Sequence, residues 1–179
     1  MANAYGNLGN VLSERGDIAS ADKMYHKSLA IDKKLGRLEG IAKAYGNLGN
    51  VLFTRGDLDG TEAMYRKSLE IAEKLGRLEL MARIYCVLGN LRFMHDDMNG
   101  AEEMHSKVLE IEQKLNRTER IATAYTNLGF VACQRKENRH ARELWLKARE
   151  LFERIGIPHM VNQVQEWLDG LPEDSAPKS

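Results

Sequence analysis

Proline is scarce in this chain: three residues in all, two of them beyond Gly170. Proline removes a helix hydrogen bond and clashes with the preceding turn, so its near-absence suits long uninterrupted helices. Net charge is missing too. The 26 Lys and Arg cancel the 26 Asp and Glu, so the chain lacks the basic excess that nucleic-acid binders present on one face. No nucleic-acid partner is expected. No apolar run approaches the ~20 residues of a membrane span, and no signal peptide opens the chain. A cytoplasmic chain without a membrane partner is expected. Cys86 and Cys133 lack any metal-type spacing and read as a pair of reduced thiols.

Catalytic constellations are lacking as well. His95, Asp96, Asp97 and His105 form the sole His/Asp cluster. They fall at a helix turn and early in the next helix, whereas a metal site needs three or four convergent ligands with a second shell. No Ser or Thr stands in a context that suggests activation by a base. Gly6 and Gly9 lie in mid-helix, not between a strand and a helix, so they form no phosphate loop. The expectation is a non-enzyme with no catalytic residue, no metal and no cofactor.

What the chain does have is a repeat. Tyr-Gly-Asn-Leu-Gly-Asn at residues 5–10 returns unchanged at 45–50, and altered at 85–90 and 125–130. Residues 1–40 and 41–80 align without a gap, with 25 identities in 40 positions. A fixed period of 20–50 residues marks a solenoid, in which each repeat buries its apolar face against its neighbours. Within the second repeat, Tyr45, Leu48, Gly49 and Leu52 fall on one helical stripe. This predicts helix A from about Leu38 to Arg55, Gly56 as a left-handed terminator and Asp57 as the next N-cap. Helix B follows from about Leu58 to Leu75, its buried side carrying Leu58, Met64, Tyr65, Leu69, Ala72 and Leu75, and Gly76 stops it. Where glycine is lost, Asn116 takes its place at the terminator. Arg15-Gly16-Asp17 and Arg55-Gly56-Asp57 spell an integrin-recognition tripeptide, but a terminator followed by a cap accounts for both.

Leu8-Gly9, Gly16, Ala21, Tyr25 and Ser28-Leu29 in the first repeat, and Leu48-Gly49, Gly56, Thr61, Tyr65 and Ser68-Leu69 in the second, resemble the tetratricopeptide repeat (TPR). Thr61 departs from the family's alanine. The 40-residue period resembles the long-helix subgroup of kinesin light chains, Leu-Gly-Asn spindle-orientation adaptors and bacterial arrays. The third and fourth repeats drift: Arg92 and Ala132 replace the stripe leucine, Asp96 and Lys136 the turn glycine, and Trp145 the helix B tyrosine. The expected fold is all-α, a right-handed α-solenoid of four TPR-like helix pairs plus a C-terminal capping helix. The array spans 1–158, with repeats at about 1–40, 41–80, 81–120 and 121–158. The capping helix spans 159–169, with Val161, Val164, Trp167 and Leu168 on its apolar face, and a disordered tail 170–179. Met1 takes the repeat position of Ile41, Met81 and Ile121, inside helix A. Either a longer array precedes it or an identical end covers it, and concentration-dependent homodimers through the uncapped first repeat are expected.

The mid-helix glycines each cost about 1 kcal/mol relative to alanine, so a packing gain must offset them. At Gly9 and Gly49 the absent side chain lets helix B approach. Gly6 and Gly46 lie on another face, where a neighbouring helix or a ligand could use the room. The resemblance implies that the remaining helix A face lines a concave groove that holds peptides. On it fall Asn3, Asn7 and Asn10; Lys43, Asn47 and Asn50; Arg83, Val87 and Asn90; and Thr123, Asn127 and Phe130, with Phe93, Met94 and Cys133 adding apolar contacts. The peptide-binding set is therefore Asn7, Asn10, Lys43, Asn47, Asn50, Arg83, Asn90, Phe93, Asn127 and Phe130. A carboxamide can both donate to and accept from a peptide backbone; the same amides could equally link adjacent helices A, and the two roles are compatible. Lys43 with Asn47 fits part of the clamp that some family members use for chaperone tails, but Val87 stands where a basic partner belongs, so Hsp70 and Hsp90 tails are not expected. The functional expectation is an adaptor that binds a protein or peptide partner. The alternatives are a self-assembling scaffold with stacked ends, or a regulatory segment of a larger protein.

Overall fold

The structure, a computed structural model, describes residues 1–172, and the greater part of the expected tail lies outside the described residues. Among them are nine α-helices and no strand: α1 (Ala2–Glu14), α2 (Ile18–Lys34), α3 (Leu38–Thr54), α4 (Leu58–Lys74), α5 (Leu78–Met94), α6 (Met98–Lys114), α7 (Thr118–Gln134), α8 (Asn138–Arg154) and α9 (Pro158–Asp169). The helices of the second repeat, α3 and α4, and the last helix, α9, begin and end within one residue of the expected positions.

Turn chemistry sets these boundaries. After α1, Asp17 N–H donates to the Leu12 carbonyl and Gly16 N–H to the Ser13 carbonyl, both at 2.9 Å. This paired closure returns at each of the other seven junctions and satisfies carbonyls that a helix end otherwise orphans. The residue that turns the chain is left-handed every time. At three junctions it is not glycine: Asp96, Asn116 and Lys136 have φ of 60°, 53° and 63°. Asp17, Asp57 and Asp97 then accept from the backbone N–H of Ser20, Gly60 and Gly100 at 2.8–3.0 Å, which caps α2, α4 and α6. The Arg-Gly-Asp tripeptides are thus terminator and cap. Pro158 opens α9 at its first position, where no helical N–H is needed.

The chain divides into two compact units, residues 1–87 and 88 onward. In the N-terminal unit α1 packs on α2, α2 on α3 and α3 on α4. Its core holds Ala21, Tyr25, Leu29, Ile41, Ala44, Leu48 and Val51. The small residues close the helix contacts: Ser28 Oγ donates to Ala2 O at 3.0 Å and Ser68 Oγ to Ala42 O at 2.8 Å. Thr61, in place of the family's alanine, is fully buried, and its hydroxyl donates to Asp57 O at 2.6 Å.

In the C-terminal unit α6 packs on α7, α7 on α8 and α8 on α9. Val164 and Leu168 of α9 are buried against Trp145, Ala148 and Phe152. Its opposite side carries exposed Asn162, Gln163, Glu166 and Asp169. Gln165 is half-buried between Arg149 and Asp169 and bonds both.

Candidate functional site

The two kinds of mid-helix glycine separate by what surrounds them. A Cβ on Gly9 would sit 2.5 Å from the Tyr25 ring, and one on Gly49 2.8 Å from Tyr65. Helix B seats its ring on bare backbone there. Gly89 does the same for His105 and Gly129 for Trp145. Gly6 and Gly46 meet no such demand: an added Cβ would lie 3.6 Å and 4.0 Å from the hydroxyls of Ser28 and Ser68, ordinary contact distances.

What Gly6 and Gly46 border is open space. A pocket of about 270 Å³ lies over α1, α2 and α3, lined by Gly6, Asn7, Asn10, Asp32, Lys43 and Asn47 among others. A second of about 290 Å³ lies one repeat later, over α3, α4 and the start of α5. Gly46, Asn47, Asn50, Leu80, Arg83 and Val87 line it. Both fall within the N-terminal unit. Their shared wall contains Asn10, Lys43 and Asn47.

Six of the ten expected residues thus gather here: Asn7, Asn10, Lys43, Asn47, Asn50 and Arg83. The amides are not equivalent. Tyr25 OH donates to Asn10 Oδ1 at 2.9 Å, and Asn47 Nδ2 donates to the same oxygen at 3.3 Å, which ties α1 to α3. Tyr65 OH donates to Asn50 Oδ1 at 2.5 Å. Burial raises the phenol pKa of both tyrosines, which keeps them protonated donors. Asn10, Asn47 and Asn50 therefore each have a structural partner, whereas the exposed Asn7 amide has no hydrogen bond among the described residues. Lys43 is exposed and leans toward Glu39 at 3.7 Å. Glu39 also takes Arg77 at 2.9 Å, and those bonds lower its pKa.

The other four lie in the C-terminal unit. Asn90 is exposed; Phe93 and Asn127 are half-buried. Phe130 is half-buried against Trp145 and Trp167, with ring centroids 5.2 Å and 4.7 Å away in edge-to-face contact.

Sequence reasoning passed over Asp32. It is 2% exposed in the last turn of α2. Reading its column with the residue eight later would have flagged it: Asp32 with Gly40, Ala72 with Leu80, Glu112 with Arg120, Phe152 with Met160. Polarity matches within every pair except where glycine leaves a gap.

These features define the class: an all-α solenoid of helix pairs closed by a C-terminal helix. The tetratricopeptide repeat family matches residues 1–74, 40–114 and 121–155, and the chain belongs to that family. Three solved structures are similar in fold. BtubC (BKLC) from P. vanneervenii is 22% identical with a TM-score of 0.69, over 99% of this chain and 68% of that one. The apo form of RapI is 17% identical at 0.78, over 92% and 48%. A signal-transduction ATPase with a tetratricopeptide repeat sensor from Pyrococcus horikoshii is 16% identical at 0.85, over 93% and 26%. This chain thus spans about two thirds, half and a quarter of their lengths. No curated protein matches it. Tetratricopeptide repeats are in general non-catalytic protein-interaction scaffolds. Among the described residues no helix is long and apolar enough to cross a membrane.

Proposed function

We propose that this chain is a non-catalytic adaptor segment that holds an extended peptide of a partner protein along the helix A face of its N-terminal unit. The observation that carries this reading is the pair of adjacent pockets in the same repeat columns, bordered by Gly6 and Gly46, which helix packing does not require. Carboxamides on their walls match the alternating N–H and C=O of a main chain. The test is to select binders to the intact chain from a displayed random peptide library, then measure their affinity for variants. Asn7→Ala and Asn47→Ala together should cost about 1–3 kcal/mol of binding, from about 0.5–1.5 kcal/mol per lost hydrogen bond, with stability lowered by no more than the one exposed bond from Asn47 to Asn10. Stability lost with binding intact would make these amides structural and end the groove reading.

Self-association is the second reading, and one observation favours it. Leu8 and Val11 of α1 are 46% and 42% exposed, while Leu48 and Val51 in the same columns are buried. A second copy covering that face would bury it. Light scattering over a concentration series should then show dimers, and a monomer throughout rules this reading out.

A further inference from the structure

Asp32 lines the first pocket although its residue is 2% exposed. Arg37 Nη2, from the turn, lies 2.7 Å from Asp32 Oδ1 as an ion pair, yet Oδ1 accepts no hydrogen bond. Buried carboxylate oxygens ordinarily have such partners. Over it stands Gly40, where a Cβ would lie 2.5 Å from the Asp32 carboxyl carbon. Glycine there makes room for the Asp32 carboxylate itself, and the first pocket opens beside the two residues.

The third repeat answers what belongs in this space. Glu112 occupies the column of Asp32 and is likewise buried. Arg120 occupies the column of Gly40 and brings Nε to 4.0 Å from Glu112 Oε1. The later copy thus sets a second guanidinium near its buried acid at the limit of ion-pair distance; the first copy has glycine in that column and pairs its acid with Arg37 of the turn.

We propose that the pocket above Asp32 seats a guanidinium, the side chain of an arginine in the bound peptide, which supplies from outside what Arg120 supplies from within. This deepens the groove reading and rests on it. Asp32 accepts from the guanidinium, and the amide oxygens of Asn7 and Asn47 accept from the N–H groups it leaves over; five donors in a planar fork need several acceptors. Lys43 stands at the rim with its charge turned to Glu39. The neighbouring pocket has Ala72 and Leu80 in these columns, so it presents no acid and takes an apolar residue, with Arg83 and the Asn50 amide at its edge.

The test titrates the full chain with N-acetyl-arginine amide, followed by amide NMR shifts. Shifts should cluster at Asn7, Gly40, Lys43 and Asn47, and the neutral isostere N-acetyl-citrulline amide should bind about tenfold more weakly or worse. Asp32→Asn also strips Arg37 of its partner, so the deciding variant is Asp32→Glu with Gly40→Arg, which transplants the third repeat's pair. It should fold and lose the response. Equal binding of citrulline and arginine amides, or an unchanged response in the double variant, overturns the seat. Displayed peptides that bind through Asn47 but lack arginine, or are unmoved by arginine-to-citrulline exchange, also overturn it and leave the groove reading standing. If no displayed peptide depends on Asn47, the groove reading falls, and an arginine-amide response lost in the double variant would still uphold the seat.

Discussion

The two units share a frame and use one face of it oppositely. In the N-terminal unit, Asn10 with Tyr25 and Asn50 with Tyr65 join helices A and B through a hydroxyl–amide bond beside open pockets. In the fourth repeat the same two columns hold Phe130 and Trp145. These rings meet each other and Trp167 of α9, and the indole Nε1 donates to Thr126 O at 3.1 Å. The turn closures and the glycine under each helix B ring are common to both units. Frame and face are therefore set by different residues: two columns that line open pockets in one unit join Trp167 of α9 in an aromatic cluster in the other.

That contrast predicts unequal costs. Trp145→Ala removes a buried ring at the centre of the C-terminal cluster and should cost about 3–5 kcal/mol by denaturant unfolding. Tyr65→Phe keeps the ring on Gly49 and loses one hydrogen bond, which should cost about 1 kcal/mol. Similar costs would break the distinction.

His105 is the intermediate case, in the column of Tyr25 and Tyr65. It is buried over Gly89, its Nδ1 has no hydrogen bond, and burial lowers its pKa from 6.5 to about 4. The folded state thus favours the neutral ring, while the unfolded chain takes up a proton below pH 6.5. This contribution to stability is full above that pH and falls as pH drops toward 4, by up to about 3 kcal/mol. His105→Tyr places a phenol where the frame already accepts one, opposite Asn90. Urea midpoints from pH 7 to 4.5 should fall less steeply in the variant. An equal slope would mean that the imidazole is not held neutral.

Most of the fold was legible in the sequence because its determinants are local. Gly56 followed by Asp57, or Asn116 in place of glycine, announces a boundary without reference to the rest of the chain. The face was legible only in part. That Asn10 serves Tyr25 depends on a contact across fifteen residues that no periodicity reveals. Phe130 looked like groove surface because its partner Trp167 lies on a helix outside the repeat. Asp32, in the last turn of a helix, reads as a solvated charge until its column is followed down the repeats.

On the proposed reading, the room beside Gly46 serves a ligand and not the packing of the chain's own helices. The most direct measurement compares the unfolding free energies of Gly46→Ala and Gly49→Ala. An alanine at 46 meets only open space and the Ser68 hydroxyl at 4.0 Å, so helix propensity should stabilise the chain by about 0.5–1 kcal/mol. An alanine at 49 presses on Tyr65 at 2.8 Å and should destabilise it by about 1–3 kcal/mol. Opposite signs uphold the account. If Gly46→Ala destabilises the chain as Gly49→Ala does, that glycine serves packing and the claim is contradicted.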